Sequence, residues 1–389
     1  MERSNDRAEL TRRLLLKRAS LSAGLVAFPG LLAACGDDDS ASGGGGASSG
    51  GGGGAAASGE SAELKALLDK VESKQVIIGN YGGTTEDARK AAFWDSFTER
   101  TGAKVVPADI PGNLGNQMLA GEVPAKWDAF HGSPSESRTA QLNGKKELPQ
   151  TPEIAHEDLI DPKYQPYIWQ SFFVGYVPAA LPDTFTDAKP ETWADFFDTK
   201  KFPGKRGWPA KEYTSGTHEA ALLADGVAPD EIYPMDIERA HAKIKSILPD
   251  ITVYQQFPQA QSFLTSKTVA LCYGPNGLWK GLMDKNVDLD VYWSMIPVLQ
   301  PNGMCTMPDA PDMDAVMALA AWCNDPKRQA DFALRTNYGP PSKAAFDEIS
   351  EEDQQLLPNA PGRETVKPDI EWLAENEEAL LESNKQLFS

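Results

Sequence analysis

Histidine and cysteine, which often carry metal-binding and nucleophilic chemistry, are scarce in this chain. It has four of each among 389 residues. The histidines lack metal-ligand spacing, and no CxxC pair occurs. The chain also lacks a P-loop, a dinucleotide-binding fingerprint and an HExxH motif. We therefore expect no cofactor and no bound metal.

Serine nucleophiles are the remaining enzymatic alternative. His131 lies near Ser133, and His218 lies near Ser215. Neither serine belongs to a GxSxG elbow, and no acid that would orient the imidazole can be identified. We interpret both Ser–His proximities as chance and predict that the protein is not an enzyme.

The chain has fewer basic than acidic residues. The chain has 37 Lys and Arg against 56 Asp and Glu, a formal net charge of −19. Residues 1–34 hold six of the basic and three of the acidic residues, so the remainder carries −22. Nucleic acid is excluded as a partner, because binding it requires Lys and Arg to neutralise phosphates. The acidity indicates solubility outside the cell; attraction of a cationic solute is the alternative.

Long apolar runs are missing, except for a short one near the N-terminus. Thr11-Arg12-Arg13-Leu14-Leu15-Leu16-Lys17 has the twin-arginine pattern of a Tat leader, and Leu32-Ala33-Ala34-Cys35 is a lipobox. The run between them, residues 19–34, is shorter than the roughly 20 residues of a membrane span. We predict that residues 1–34 are a removed signal peptide and that Cys35 is lipidated; an uncleaved anchor is the alternative. The protein would then be exported by Tat and held at the outer face of the cytoplasmic membrane, at the cell surface or in the periplasm.

A stretch without any large side chain follows. Residues 40–59 are Gly, Ser and Ala only, and such a stretch cannot bury enough apolar surface to become ordered. Its root-mean-square reach is roughly 25 Å. We predict that residues 35–72 comprise the lipidated cysteine and a flexible tether.

Three cysteines remain in the folded part: Cys272, Cys305 and Cys323. At most one disulfide can form among them. Cys323 lies in a predicted apolar helix and is expected to be a small buried residue. Pairing of Cys272 with Cys305 stays open.

The folded part shows alternating strand and helix patterns. Residues 75–79 are a continuous apolar run typical of a strand covered on both faces. The turn Asn80-Tyr81-Gly82-Gly83 leads into a helix, and residues 104–106 return as a second strand. This βαβ unit predicts a parallel sheet. Further on, the sequence predicts a strand over 268–273, helices beginning near Pro190, Asp236 and Asp325, and a helix over 313–322.

About 330 residues exceed the size at which one core usually divides, so we expect two lobes. The predicted fold class is α/β, with two open, mostly parallel sheets. In such sheets, ligands bind beyond the carboxyl ends of the strands.

Several short motifs occur in one order after the lipobox. They are Asn80-Tyr81-Gly82-Gly83, residues 97–106, Trp127-Asp128, residues 192–198, residues 201–206, residues 221–227, Tyr338-Gly339-Pro340 and residues 371–376. In this order, residues 74–389 resemble the extracellular solute-binding proteins of ABC importers, in the branch typified by spermidine/putrescine binders. The resemblance implies a type II periplasmic-binding-protein-like fold.

The resemblance also implies the division of the chain. Lobe 1 would comprise residues 73–168 and about 297–345, and lobe 2 residues 169–296 and about 346–389. The hinge crossings would lie near residues 166–169 and 293–307. The cleft between the lobes would hold a small solute for delivery to ABC permease subunits with their ATPase, and we expect a monomer. A solute-sensing lipoprotein receptor is the alternative, and an enzyme on the same two-lobed scaffold is a further one.

Candidate ligand-binding residues follow from the same resemblance. Tyr81, Tyr273 and Tyr338 match the aromatic positions that hold a polymethylene chain, and Ser133 matches a hydroxyl in the second loop. The carboxylates that hold ammonium groups are missing, because Gly83, Tyr213, Gly216 and Gly303 stand at those positions. Two ammonium groups would therefore lack counter-charges. The candidate set is completed by Trp208 and Asn276.

Hydroxyl groups stand where the acids are missing. Thr214-Ser215-Gly216-Thr217 precedes a helix, and Thr84 follows the Gly82-Gly83 turn. Hydroxyls and free N–H groups at a helix start form an anion site, with Arg206 nearby in sequence; ordinary capping is the alternative. The solute would then carry a carboxylate, or be zwitterionic. Glu212, Glu219 or His218 would face a single amine. Iron binding through Tyr213 and its neighbours is a remaining alternative.

Overall fold

The structure is a computed structural model that describes residues 60–111, 114–144 and 147–388, without the side chains of Gly83 and Thr84. The Tat signal, Cys35 and residues 40–59 lie outside the described residues. Helix α1 (Ala62–Leu68) lies within the segment predicted to be a tether. Ser61 caps this helix, and Leu68 is buried against the core. The predicted tether therefore extends too far toward residue 72.

The first part of the sheet is built as the βαβ pattern predicts. Strands β1 (Gln75–Asn80), β2 (Lys104–Asp109) and β3 (Ala129–Gly132) are parallel. The helices that connect or follow these strands are α2 (Gly83–Arg89), α3 (Asp95–Thr101), α4 (Leu114–Ala120) and α5 (Pro134–Gly144). A π-helical turn at Lys90–Trp94 joins α2 to α3.

The second part contains the longer connections. Its strands are β4 (Trp169–Ala180), β5 (Arg206–Pro209), β6 (Ile251–Tyr254), β7 (Leu271–Pro275), β8 (Asp290–Val291) and β9 (Val298–Thr306). Its helices are α6 (Trp193–Phe197), α7 (Thr217–Ala224), α8 (Ile237–Lys245), α9 (Phe257–Thr265), α10 (Asn276–Met283), α11 (Met313–Cys323), α12 (Pro326–Thr336), α13 (Glu351–Gln354) and α14 (Ile370–Leu387).

Two long antiparallel strands join the two parts. The order of the sheet is β2-β1-β3-β9-β4-β7-β5-β6, and β8 pairs with β4. Parallel strands lie on either side of the central β9–β4 pair, whose register runs from Trp169↔Met304 to Tyr176↔Val298. Every residue of β4 is buried. The predicted hinge crossings thus coincide with the start of β4 and with β9, while the lobe boundaries remain a prediction.

Several predicted element ends are confirmed by their caps. Thr192 forms a capping box with Asp195 at the start of α6, and Asp236 caps α8. Asp325 caps α12, which has Pro326 in its first turn. The strand predicted over 268–273 is shifted, because Thr268 belongs to the turn after α9 and β7 begins at Leu271.

The three described cysteines are all buried free thiols. Cys272 and Cys305 therefore do not pair in this structure. Cys323 is buried at the end of α11, as predicted. Among the described residues, no helix combines the length and the apolar composition of a membrane span.

Candidate functional site

A cavity of about 60 Å³ lies where the loops after β3 and β5 meet over the β4–β9 crossing. Tyr176 and Val298 are paired across β4 and β9, so their side chains share the face that forms the floor. The cavity is lined by Ser133, Pro134, Ser135, Tyr176, Thr214, Ser215, Gly216, Glu219, Val298, Leu299, Gln300, Pro301, Pro368, Ile370, Leu373, Glu377 and Leu380.

The last helix provides one wall. Ile370, Leu373, Glu377 and Leu380 lie three or four residues apart on α14, so they share one helix face. Three of these side chains are apolar, and the fourth is a carboxylate. Helix α14 therefore offers an apolar wall with a single negative charge.

The loop after β3 is held by its own cap. Ser133 donates from its backbone N–H and from its hydroxyl to Glu136 Oε2, over 2.8 Å in each case. Burial raises the pKa of Glu136 despite these hydrogen bonds, and the nearby charge of Glu377 raises it further. Ser133 is thereby fixed at the cavity edge, with a carboxylate directly behind it.

The loop after β5 has a glycine where no other residue fits. Gly216 has a φ of +74°, and a Cβ at this position would lie 2.2 Å from Tyr273 Oη. The Tyr273 hydroxyl has no hydrogen-bond partner among the described residues. Helix α7 then begins at Thr217 without a side-chain cap. Thr214, Ser215 and Gly216 of this loop line the cavity.

Glu219 is the most deeply buried charged group of the cavity wall. It is 4% exposed, and Tyr233 donates a hydrogen bond of 2.7 Å to its Oε1. Burial raises its pKa, and the bond from Tyr233 opposes that rise. Among the described residues that line the cavity there is no Lys, Arg or His. The cavity is therefore acidic, with Glu219 and Glu377 as its charged groups.

Some predicted site residues meet in this cavity. Ser133, Thr214 and Ser215 line it, although they are about 80 residues apart in the chain. Tyr213 adjoins it, half-buried, with its ring 5.1 Å from that of Phe257. The loops after β3 and β5 thus both lie at the cavity, which is consistent with the predicted contribution of each loop to ligand binding.

Trp208 belongs to the core instead. Its ring is fully buried and lies 5.0 Å from Tyr273 and 5.8 Å from Phe196. Trp208 is not among the described residues that line the cavity, because β5 directs its side chain into packed aromatic rings. Its ligand contact stays a prediction. Tyr273 shares that core, and only its hydroxyl reaches the region of Gly216.

The Asn276 side chain also forms hydrogen bonds within the protein. Its Oδ1 accepts a hydrogen bond of 3.0 Å from the Gly175 backbone, and its Nδ2 donates to the Asn337 carbonyl. The amide joins β4 to the loop before Tyr338 and has neither end free. Asn276 is not among the described residues that line the cavity, and its role in binding the ligand stays a prediction.

The other two predicted aromatic residues lie outside this cavity. Tyr81 is 60% exposed, and its ring meets His131 edge-on at 5.4 Å. Tyr338 stacks on Phe172, with centroids 4.8 Å apart, and burial raises its pKa to about 12. Gly83 opens helix α2 after Gly82, next to Thr84. Neither Tyr81 nor Tyr338 is among the described residues that line the cavity.

Arg206 cannot serve an anion site at Thr214–Thr217. Its guanidinium is fully buried and donates to the carbonyls of Phe196, Asp198, Phe202 and Gly204. Burial lowers its pKa to about 10. Arg206 is therefore not free to contact the Thr214–Thr217 segment, because these four carbonyls engage all three of its guanidinium nitrogens.

The three residues proposed as counter-charges to an amine lie in different surroundings. Glu219 faces the cavity, whereas Glu212 is exposed to solvent. His218 is fully buried, and its ring nitrogens meet Thr217 and Ser383. Burial lowers its pKa to about 4. Within the described chain, no group of three or more His, Cys, Asp and Glu is placed to hold a metal ion.

Sequence reasoning missed much of the lining, including the polar residues Tyr176, Gln300 and Glu377. Tyr176 lies in an uninterrupted apolar strand and looks like core. Glu377 follows the motif at residues 371–376, which indicates the family but not a cavity. The period of apolar residues along α14 is a signal for a buried face, but it does not indicate what that face covers.

Comparison with known proteins gives concordant results. Residues 92–359 match the family described as bacterial extracellular solute-binding protein. The gamma-aminobutyric acid-binding protein of Pseudomonas aeruginosa is 24% identical over 298 residues, 75% of this chain and 84% of that protein. The Atu4243-GABA receptor has 27% identity and a TM-score of 0.72, covering 81% of this chain and 98% of its own.

A third similar protein is an ABC transporter substrate-binding protein from Bradyrhizobium japonicum USDA 110. It has 25% identity and a TM-score of 0.74, covering 82% of this chain and all of its own. These neighbours confirm the predicted periplasmic-binding-protein-like α/β fold. The matched proteins are solute-binding proteins and not enzymes.

Proposed function

Because this chain belongs to the bacterial extracellular solute-binding protein family, we propose that it captures a small amine-bearing solute for import by an ABC transporter. The family places it outside the cytoplasm, where such proteins bind small solutes and deliver them to a permease. The spermidine/putrescine branch remains a narrower hypothesis within that family.

Glu219 carries this proposal. A buried carboxylate is costly unless a cation or several hydrogen bonds compensate it. Tyr233 provides one hydrogen bond, and no basic side chain among the described residues lines the cavity. An ammonium group of the solute would supply the missing positive charge. The acidic cavity therefore fits an amine better than a simple anion.

A carboxylate on the same solute is supported by the loop after β5. Thr214 and Ser215, which carry hydroxyls, line the cavity there, and helix α7 begins without a side-chain cap. Both features favour negative charge. Two of the similar proteins have gamma-aminobutyric acid or GABA in their names. A zwitterionic amine such as 4-aminobutyrate is thus our first candidate.

A diamine is the second candidate, and a specific observation favours it. The cavity contains two carboxylates, Glu219 and Glu377, so two ammonium groups would both find partners. The loss of acids at Gly83, Tyr213, Gly216 and Gly303 is thereby compensated from other positions. Polyamine-like solutes remain compatible with this cavity.

Calorimetry with four matched compounds separates these possibilities. We expect 4-aminobutyrate or butane-1,4-diamine to bind, propylamine to bind more weakly, and butyrate, which lacks the amine, not to bind. Glu219→Gln should weaken amine binding at least tenfold, about 1.4 kcal/mol, without lowering the thermal stability of the solute-free protein. Glu212→Gln, at an exposed carboxylate that precedes helix α7, is the control. Binding of butyrate as tight as that of the amines would refute the proposal.

We further propose Tat export and lipidation of Cys35, which would place the receptor at the outer face of the membrane. Labelling of cells with an alkyne fatty acid should mark the wild-type protein and not Cys35→Ser. Uptake of the radiolabelled solute should be lost on deletion of the gene. Unchanged uptake would favour the alternative, a receptor that senses solute without a transporter.

A further inference from the structure

Helix α14 contacts both sides of the cavity. Toward α5, Arg138 Nε donates to Glu371 Oε2 over 2.8 Å, and Thr139 Oγ1 donates to Glu377 Oε2 over 3.1 Å. Tyr167 also donates to Glu371. The helix is therefore attached to the part of the molecule that carries Ser133.

The attachment to the other side is more deeply buried. Ser383 Oγ lies 3.1 Å from His218 Nε2 on α7 and 3.1 Å from His241 Nδ1 on α8. Asn384, only 1% exposed, donates to the Tyr213 carbonyl over 3.1 Å. These groups connect α14 to the helices and the loop that carry Glu219.

The two attachments differ in strength. Arg138–Glu371 is an ion pair with half of the Glu371 side chain exposed, and such pairs contribute about 0–1 kcal/mol. The buried network around Ser383 and Asn384 costs more to break, because its polar groups have no water to replace their partners. When the cleft opens, α14 should therefore remain with α7 and α8 and separate from α5.

This separation changes the position of Glu377. In the present structure Glu377 lies near Glu136, a buried carboxylate on α5 whose pKa it raises. Closing the empty cleft brings the Glu377 carboxylate up to Thr139 and into the cavity lining without a cation beside it, which is unfavourable. An ammonium group in the cavity would offset that cost.

We propose that Glu377 couples solute binding to closure of the cleft, by meeting the ammonium group of the solute only when α14 approaches α5. This inference rests on the proposed amine-bearing solute. A ligand stabilises the closed state only by its difference in affinity between the two states, and Glu377 supplies such a difference. Thr139 positions the carboxylate through its hydrogen bond.

Glu377→Gln tests the proposal, with Glu378→Gln, the exposed neighbour on the same helix, as matched control. In small-angle scattering of the solute-free full chain, Glu377→Gln should have a smaller radius of gyration than wild type, because closing the cleft no longer places an uncompensated carboxylate in the cavity. Its affinity for whichever of 4-aminobutyrate and butane-1,4-diamine the wild type binds should fall at least tenfold in calorimetry. Glu378→Gln should match wild type in both measurements.

A double-mutant cycle isolates the hydrogen bond. Thr139→Val should weaken binding in the wild-type background and have no further effect beside Glu377→Gln. Wild-type scattering and wild-type affinity in Glu377→Gln would overturn the proposal. If the wild type binds neither amine, the proposed function fails, and the solute-free scattering still decides whether Glu377 opposes closure.

Discussion

Tyr233 and Glu219 form a hydrogen bond of 2.7 Å through the wall of the cavity. Glu219 faces the cavity, whereas Tyr233 lines a surface groove of about 800 Å³ on the other side. Pro368 and Ile370 line both spaces and complete the partition. The ionisation of the cavity carboxylate is thus controlled in part from outside the cavity.

Tyr233→Phe should make solute binding more sensitive to acid. The hydrogen bond from Tyr233 opposes the rise in the pKa of Glu219 that burial causes, so removing it raises this pKa further. Glu219 is then protonated at higher pH, and a protonated carboxyl no longer attracts an ammonium group. Since a hydrogen bond to a charged group contributes about 1.5–3 kcal/mol, the acidic loss of affinity should begin about one pH unit higher.

Calorimetry with an amine from pH 4 to 8 measures this shift. Tyr292→Phe is the control, because the Tyr292 hydroxyl is buried without a hydrogen-bond partner among the described residues. Identical pH profiles for Tyr233→Phe and wild type would show that Tyr233 does not influence Glu219.

Gly216→Ala should destabilise the protein and weaken binding. A side chain is strained at a φ of +74°, and its Cβ would lie 2.2 Å from Tyr273 Oη. Gly226→Ala is the matched control, since Gly226 has a φ of +83° with no atom within 4 Å of its Cβ position. Strain at positive φ costs about 1–2 kcal/mol in both variants, and Gly216→Ala should lose more.

Thermal unfolding of both variants, with Tyr273→Phe added to Gly216→Ala, measures the two contributions. Removing the hydroxyl should recover the part of the loss that exceeds Gly226→Ala. A Gly216→Ala variant no less stable than Gly226→Ala would contradict the described contact.

Arg206→Lys should reduce stability and leave solute affinity unchanged. A lysine cannot reach the carbonyls of Phe196, Asp198, Phe202 and Gly204 together, because its donors radiate from one atom. Each buried acceptor left without a partner costs about 1–3 kcal/mol, so we expect a loss of about 3 kcal/mol in the free energy of unfolding. Urea titration measures it, with Lys205→Gln as the exposed control.

A fall in affinity for 4-aminobutyrate in the folded Arg206→Lys variant would count against this assignment. It would instead restore Arg206 to the anion site that its position in sequence indicates.

The three described thiols should be unreactive in the native state. Burial raises the pKa of Cys323 to about 12 and raises those of Cys272 and Cys305 above their usual range. The thiolate is the reactive species, so Ellman's reagent should label none of them in native Cys35→Ser protein. Three thiols should react in guanidinium chloride without reductant; one reactive thiol would reveal a disulfide.

The sequence alone was sufficient to predict those elements that depend on residues close together in the chain. The apolar run at 75–79 and the glycines after it set the first βαβ unit, and caps such as Asp236 and Asp325 set helix starts. Ordered motifs along the chain indicated the solute-binding family. Ser133 was found through the family resemblance, and Thr214–Ser215 through the hydroxyls that stand where the acids of that family are missing.

Cavity residues that come from distant segments of the chain were not predicted from the sequence. Glu377 meets Thr139 from 238 positions away, and nothing near it in the chain marks it as a cavity residue. Trp208 and Asn276 were plausible candidates from the sequence. Packing places the Trp208 ring in the aromatic core. Hydrogen bonds hold the Asn276 side chain between the backbones of Gly175 and Asn337. The family and the first βαβ unit follow from residue patterns within short segments of the chain. The charge of the cavity follows from which side chains the folded chain brings face to face, because burial and Coulomb interactions depend on distance in space and not on separation along the chain.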